Sequence, residues 1–222
     1  MTTYNIAEHF ISVNGEGPRA GTLSHFIRFF GCNLECCYCD TAWAGDPEKE
    51  GERLSAEEIH RMILLGGIRN VTLTGGEPLL QKDIGELLGV LCSDSRLSVE
   101  IETNGSVDIS PFASMKNRPV FTLDYKLPSS GMEIMMRVSN FDFLRSGDAV
   151  KFVAGSRSDL QRALTVIDAY RLTEKCEVHL SPVFGEIEPA EMVEFMKENR
   201  INGVALHLQL HKLIWEPDRR GV

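Results

Sequence analysis

The sequence predicts an α/β fold, an open partial (β/α)6-type barrel with parallel strands inside and helices outside. Three observations carry this. Short apolar runs alternate with helical patterns, as in parallel β-α units. Each run is almost entirely apolar, as expected of strands covered on both faces. There are about six such units, too few for a closed eight-fold barrel.

The elements follow in order. Residues 6–11 form a first strand, and Ile11-Ser12-Val13-Asn14-Gly15-Glu16-Gly17 leads out of it. His25-Phe26-Ile27-Arg28-Phe29-Phe30 is a strand running into a cysteine-rich loop. Ser55 caps a helix, and Glu58, three residues on, completes a capping box. Gly66-Gly67 stops that helix. Residues 70–74 are a strand, after which Gly75-Gly76-Glu77-Pro78 turns into a helix reaching about Leu91. Strands at 97–101 and 120–123 are followed by Glu102-Thr103-Asn104-Gly105 and Asp124-Tyr125-Lys126. Strands at 149–153, 177–180 and 204–206 alternate with helices at 158–170 and 189–198. Residues 1–222 read as one domain, with a core at about 20–206 and a tail, 207–222, near the mouth.

Composition narrows the class. The chain has 222 residues, 43% hydrophobic and 25% charged, as in ordinary globular proteins. The net charge of −9 argues against a nucleic-acid surface, which is usually basic. No apolar run is long enough to span a membrane, and no segment reads as a signal peptide. A cytoplasmic location is expected, because a reducing compartment suits free thiolates.

The chemistry concentrates in Cys32, Cys36 and Cys39, spaced C-x3-C-x2-C. Three thiolates can hold three irons of a [4Fe–4S] cluster and leave the fourth iron open to a small molecule, whereas fully ligated clusters use four cysteines. A structural zinc site would need a closed set of four ligands. Here Cys92 and Cys176 stand isolated, and Cys37 reads as a bystander. Six cysteines are too sparse for a disulfide framework in a chain of this length. Ligands of parallel sheets gather at the C-terminal strand ends. The cysteine loop, Gly75-Gly76, Thr103-Asn104-Gly105 and Asp124-Tyr125-Lys126 all follow strands directly. Glycines at 75 and 76 would let backbone approach a ligand, although a plain strand-to-helix turn has the same look. Arg28 lies in an apolar run, where a buried charge needs a partner. Its guanidinium suits bidentate binding of a carboxylate.

The cysteine spacing, with Tyr38 before the last cysteine, resembles the signature of the radical S-adenosylmethionine (SAM) superfamily. The wider pattern resembles the 7-carboxy-7-deazaguanine synthase family. It comprises residues 11–17, Arg28, Asp40-Thr41, the glycine segment, Gln209-Leu210-His211-Lys212-Leu213-Ile214-Trp215 and Arg220-Gly221-Val222. That resemblance implies conversion of 6-carboxy-5,6,7,8-tetrahydropterin to 7-carboxy-7-deazaguanine. It also implies a [4Fe–4S] cluster, SAM as a regenerated cofactor, Mg²⁺, a flavodoxin or ferredoxin as electron donor, and a homodimer. Carried over by motif, Cys32, Cys36 and Cys39 hold the cluster and Thr41 holds Mg²⁺. Tyr38, Asp40, Gly76, Glu102, Asp124, Tyr125 and Lys126 serve SAM. Val13, Asn14, Gly15, Glu16, Arg28 and Thr74 serve the pterin, and Gln209 and His211 join them where the tail folds back over the mouth. Family members often carry Gln at the place of Asn14 and Ser-Pro at the place of Asp124-Tyr125. Read without the family, Thr41 is a turn residue, and His211 is equally a histidine pinned on an apolar tail. His207 reads as a core histidine. The alternative is a radical SAM activating enzyme that acts on a protein partner.

Overall fold

The structure, a computed structural model, describes residues 2–222. In chain order the first half comprises β1 (Thr3–Val13), β2 (Leu23–Phe29), β3 (Glu52–Ser55), α1 (Ala56–Gly66), β4 (Asn70–Gly75), α2 (Ile84–Ser93) and β5 (Ser98–Thr103). Then come α3 (Ser110–Ala113), β6 (Val120–Lys126), β7 (Ala149–Ala154), α4 (Arg157–Tyr170), β8 (Glu177–Pro182), α5 (Pro189–Glu198), β9 (Val204–Leu206) and α6 (Leu210–Ile214). Among the described residues, nine strands join one sheet in the order β3-β1-β2-β4-β5-β6-β7-β8-β9. From β2 to β9 every pairing is parallel. β1 runs antiparallel to both β2 and β3. The sheet curls without closing, so β3 and β9 are its edges.

Sequence and structure differ at several elements. β1 is longer than expected, and β3 is absent from the sequence reading. The segment after Gly76 does not enter a helix at once. The Glu77 carboxylate accepts from Leu79 N at 3.0 Å and holds a 3-10 turn over Pro78–Leu80. Asp83, with φ of 55°, then resets the chain before α2. The capping box on α1 is present, with Ser55 Oγ accepting from Glu58 N and Glu58 Oε2 accepting from Ser55 N.

The outer sheet face forms the core. Ile27, Leu73, Ile101, Phe121, Phe152 and Leu180 pack there beneath Ile59 and Ile63 of α1, Leu87 and Leu91 of α2, Leu160 of α4 and Phe195 of α5. The inner face is not apolar, which corrects the reading of the strands as nearly uniform apolar runs. Thr72, Glu100 and Thr122 are buried and hydrogen-bonded. Thr122 Oγ1 donates to Glu100 at 2.5 Å, and Ser24 and Thr72 hydroxyls lie 2.7 Å apart. The strands therefore alternate, apolar outward and polar inward. Among the described residues no helix is long and apolar enough to cross a membrane.

Candidate active site

The polar inner face encloses a cavity of about 470 Å³. Four segments reach it from the C-terminal ends of the parallel strands: the cysteine loop, Gly75-Gly76, Thr103-Asn104, and Asp124 with Lys126. The Val13–Glu16 segment arrives from the opposite end. β1 is antiparallel, and Val13 pairs with Leu23 at the start of β2. The loop therefore forms the floor, where Asn14 Nδ2 lies 3.3 Å from Glu100 and 3.5 Å from Thr72.

Every site residue expected from sequence lines this cavity except Tyr125. Tyr125 points outward. It is 3% exposed, packs on Phe141 and Phe152, and donates its hydroxyl to Glu133 at 3.1 Å. The two-residue period of β6 sends Asp124 and Lys126 inward and Tyr125 to the core. It is thus removed from the SAM-facing set.

Cys32, Cys36 and Cys39 are free thiols on the cavity wall. Burial pushes the Cys36 thiol up to about 11 and raises Cys39 as well, so both keep their protons until a metal displaces them. No three His, Cys, Asp or Glu side chains among the described residues converge as ligands of one ion. A cubane asks for something else, one thiolate on each of three irons, and this loop offers that donor set. Cys37 faces away and donates to Ser129 O at 2.9 Å. Asn104 Nδ2 lies 3.6 Å from Cys32 Sγ and 3.0 Å from Asn33 Oδ1. A donor at a ligating sulfur tunes a cluster's potential. Glu77 anchors the Thr103-Asn104 turn, accepting from Thr103 Oγ1 at 2.9 Å and Asn104 N at 2.6 Å.

The glycines have a nearer reason than a ligand. A Cβ on Gly76 would lie 2.1 Å from Gly31 O, and one on Gly75 would lie 2.3 Å from Phe29 O. Close packing of β4 on the exit of β2 demands them, and Gly76 still borders the cavity.

Charged groups are paired across the cavity. Arg28 Nε donates to Glu8 at 2.8 Å, so β1 supplies the partner that its burial requires, and its Nη atoms make no hydrogen bond among the described residues. Lys126 lies 2.8 Å from Asp124. Burial pushes the Asp124 carboxyl up, but Lys126 and Lys151 outweigh it and hold it below the ordinary range. Burial raises the Glu102 carboxyl, and Lys151 and a hydrogen bond from Thr74 oppose the rise. At the mouth, Asp40 accepts from Thr41 at 2.9 Å and pairs with Lys212 at 3.2 Å. Thr41 turns its proton toward Asp40 and keeps its lone pairs free. This small, all-oxygen set suits a hard cation that retains its waters. Tyr38 donates to Val153 O at 3.4 Å. The tail folds back, Leu210 N donating to Gly15 O at 3.3 Å, which brings Gln209 and His211 to the wall. His207 is stacked on His179, ring centroids 3.7 Å apart, outside the cavity lining.

Sequence reasoning missed Lys151 and Glu100, and it named Lys212 and Arg220 only within the tail pattern, without a role. The signal for Lys151 was available. It is a cation at an inward position of the apolar run Ala149–Ala154, the pattern that singled out Arg28.

A family model described as the radical SAM superfamily matches residues 26–142. The crystal structure of QueE from Escherichia coli shares the fold, with a TM-score of 0.69 over 93% of this chain and 94% of that one at 22% identity. Fold and cysteine loop together define a radical SAM protein, a class that works with a [4Fe–4S] cluster and SAM. The 7-carboxy-7-deazaguanine synthase of Clostridium acetobutylicum is 52% identical over 99% of both chains. That of Chlorobaculum tepidum is 38% identical over 98% of this chain and 97% of its own. The chain belongs to the 7-carboxy-7-deazaguanine synthase family.

Proposed function

We propose that this protein converts 6-carboxy-5,6,7,8-tetrahydropterin to 7-carboxy-7-deazaguanine, a step in 7-deazapurine and queuosine biosynthesis. The observation that carries this is one cavity holding the three-cysteine loop at its mouth and Arg28, Glu16 and Asn14 deeper in. The reaction contracts a ring and expels ammonia. It is balanced without a net oxidant or reductant, so SAM can be regenerated.

The cluster and SAM, when bound, supply radical generation and hydrogen abstraction. The chain does the rest. Cys32, Cys36 and Cys39 hold three irons. Gly76, Glu102, Asp124, Lys126, Tyr38 and Asp40 surround SAM with hydrogen-bond partners. The Nη end of Arg28 grips the pterin carboxylate, a two-bond contact that fixes orientation. Val13, Asn14, Gly15, Glu16, Thr74, Gln209 and His211 meet the ring. Thr41 would offer its hydroxyl to Mg²⁺, which would supply positive charge toward the substrate carboxylate. The tail, residues 207–222, belongs to the same catalytic unit and excludes water. A flavodoxin or ferredoxin supplies the electron, and the protein works as a cytoplasmic homodimer.

The test is anaerobic reconstitution with iron and sulfide, then reduction with SAM, Mg²⁺ and 6-carboxytetrahydropterin. Mass spectrometry is expected to show 7-carboxy-7-deazaguanine with little net loss of SAM. SAM cleavage without that product would overturn the reading and favour a protein substrate.

A further inference from the structure

Lys151 lines the cavity between Glu16 and Asp124, one from each of the two groups of residues proposed above. β7 turns Val150 and Phe152 into the core and Lys151 inward. Its Nζ lies 2.9 Å from Glu16 Oε2 and 3.5 Å from Asp124 Oδ2. Glu16 rises from the floor loop, and Asp124 stands near the mouth on β6. One cation thus ties the substrate end of the cavity to the cofactor end.

The other oxygens of these carboxylates complete the picture. Glu16 Oε1 and Asp124 Oδ1 are buried and have no hydrogen-bond partner among the described residues. A buried acceptor left bare costs free energy, so such atoms mark places where a ligand donor belongs. Both residues line the cavity. The pterin ring carries amino and ring N–H donors, and the SAM ribose carries two hydroxyl donors. Each free oxygen therefore has a ligand of matching chemistry on its own side.

We infer that Lys151 is a positioning residue for both ligands: it holds one oxygen of Glu16 and one of Asp124, so that the free oxygen of the first meets the substrate N–H groups and that of the second meets the cofactor hydroxyls. This inference rests on the function proposed above. Without the ammonium, Glu16 Oε2 would keep only the 3.5 Å contact from Gln209 Nε2 and Asp124 Oδ2 only Lys126, its neighbour on β6, so the tie between the two carboxylates would be lost.

The experiment is equilibrium binding to the anaerobically reconstituted protein with its cluster left oxidised, so that nothing reacts. Dissociation constants are measured for SAM, and for 6-carboxytetrahydropterin with SAM saturating, in wild type, Lys151→Met, Glu16→Gln, Asp124→Asn and the two double variants. Lys151→Met is expected to weaken each ligand about ten-fold, the scale of one charge-assisted hydrogen bond. On the Glu16→Gln background the further loss for pterin falls below about two-fold while the loss for SAM persists. On the Asp124→Asn background the pattern reverses. Lys151→Arg restores both affinities, and Lys151→Gln takes the place of Lys151→Met if the latter does not fold. Full losses for both ligands on both backgrounds mean that Lys151 only supports the fold, and they overturn the inference. Wild type that binds SAM but no pterin overturns the proposed substrate instead, and the Asp124 arm then decides the cofactor half alone.

Discussion

Glu100 is fully buried beneath the cavity, where burial first, and Glu102 second, push its carboxyl from 4.5 up to about 7. Between those values the folded protein keeps a proton that the unfolded chain has released. Stability therefore falls as pH rises from about 4.5 to about 7, and the penalty is complete above that window. Glu77, also raised to about 7, adds a slope of the same sign. Glu100→Gln is expected to remove roughly half of this combined slope in melting temperature between pH 5 and pH 7. An unchanged slope would mean that Glu100 is ionised in the folded state. The cysteines make a second prediction at this scale. Alanine at Cys32, Cys36 or Cys39 abolishes the visible absorbance of the reconstituted cluster. Cys37→Ala preserves it, because that thiol is engaged with Ser129 outside the cavity. Loss of the cluster in Cys37→Ala would undo this ligand assignment. Cys37 stood apart in the sequence because neighbours on a tight loop point in different directions, and Arg28 stood out because a charge interrupts an apolar strand. Lys151 sends the same signal, but its partner Glu16 lies far away in sequence, so its role needed the fold to be seen.

Among elements, most strands and four of the helices were legible because outward apolar residues are grouped and caps sit at helix starts. The polar inner residues Thr72, Glu100, Thr122 and Lys151 read as interruptions, and only a closed cavity gives them a common purpose. β3 was not legible. Glu52, Arg53 and Leu54 carry no strand pattern, and their extended form is imposed by pairing with β1. Gly51 makes that pairing possible. Its N–H donates to Asn5 Oδ1 at 2.9 Å, and a Cβ there would fall 1.9 Å from Ile6 O. Gly51→Ala must therefore push β3 off the sheet edge. The expected cost is on the order of 2–3 kcal/mol in urea unfolding, comparable to other overpacking changes. Amide exchange should quicken in residues 3–6 and 52–55. Wild-type stability in this variant would show that β3 contributes nothing to the edge.

For the whole molecule, an open barrel leaves its mouth to be closed by something other than strands. The tail does this. After β9 it crosses to the floor loop through Leu210, pairs Lys212 with Asp40, and lays the Arg220 guanidinium 4.1 Å above the Trp43 ring. Residues 217–222 end on the cavity wall and contribute nothing to the core cluster. Their burial cannot matter much to folding, so removing them should leave the melting temperature nearly unchanged. Their position over the mouth should matter to coupling, because an open mouth admits water and loosens the substrate. In the truncated protein, SAM cleavage is expected to continue while 7-carboxy-7-deazaguanine falls, raising SAM lost per product about five-fold or more. Chromatographic counts of cleaved SAM and of product under one reductant measure that ratio directly. A ratio equal to wild type would mean that the tail is only a surface strap, and that Gln209 and His211 suffice to close the cavity.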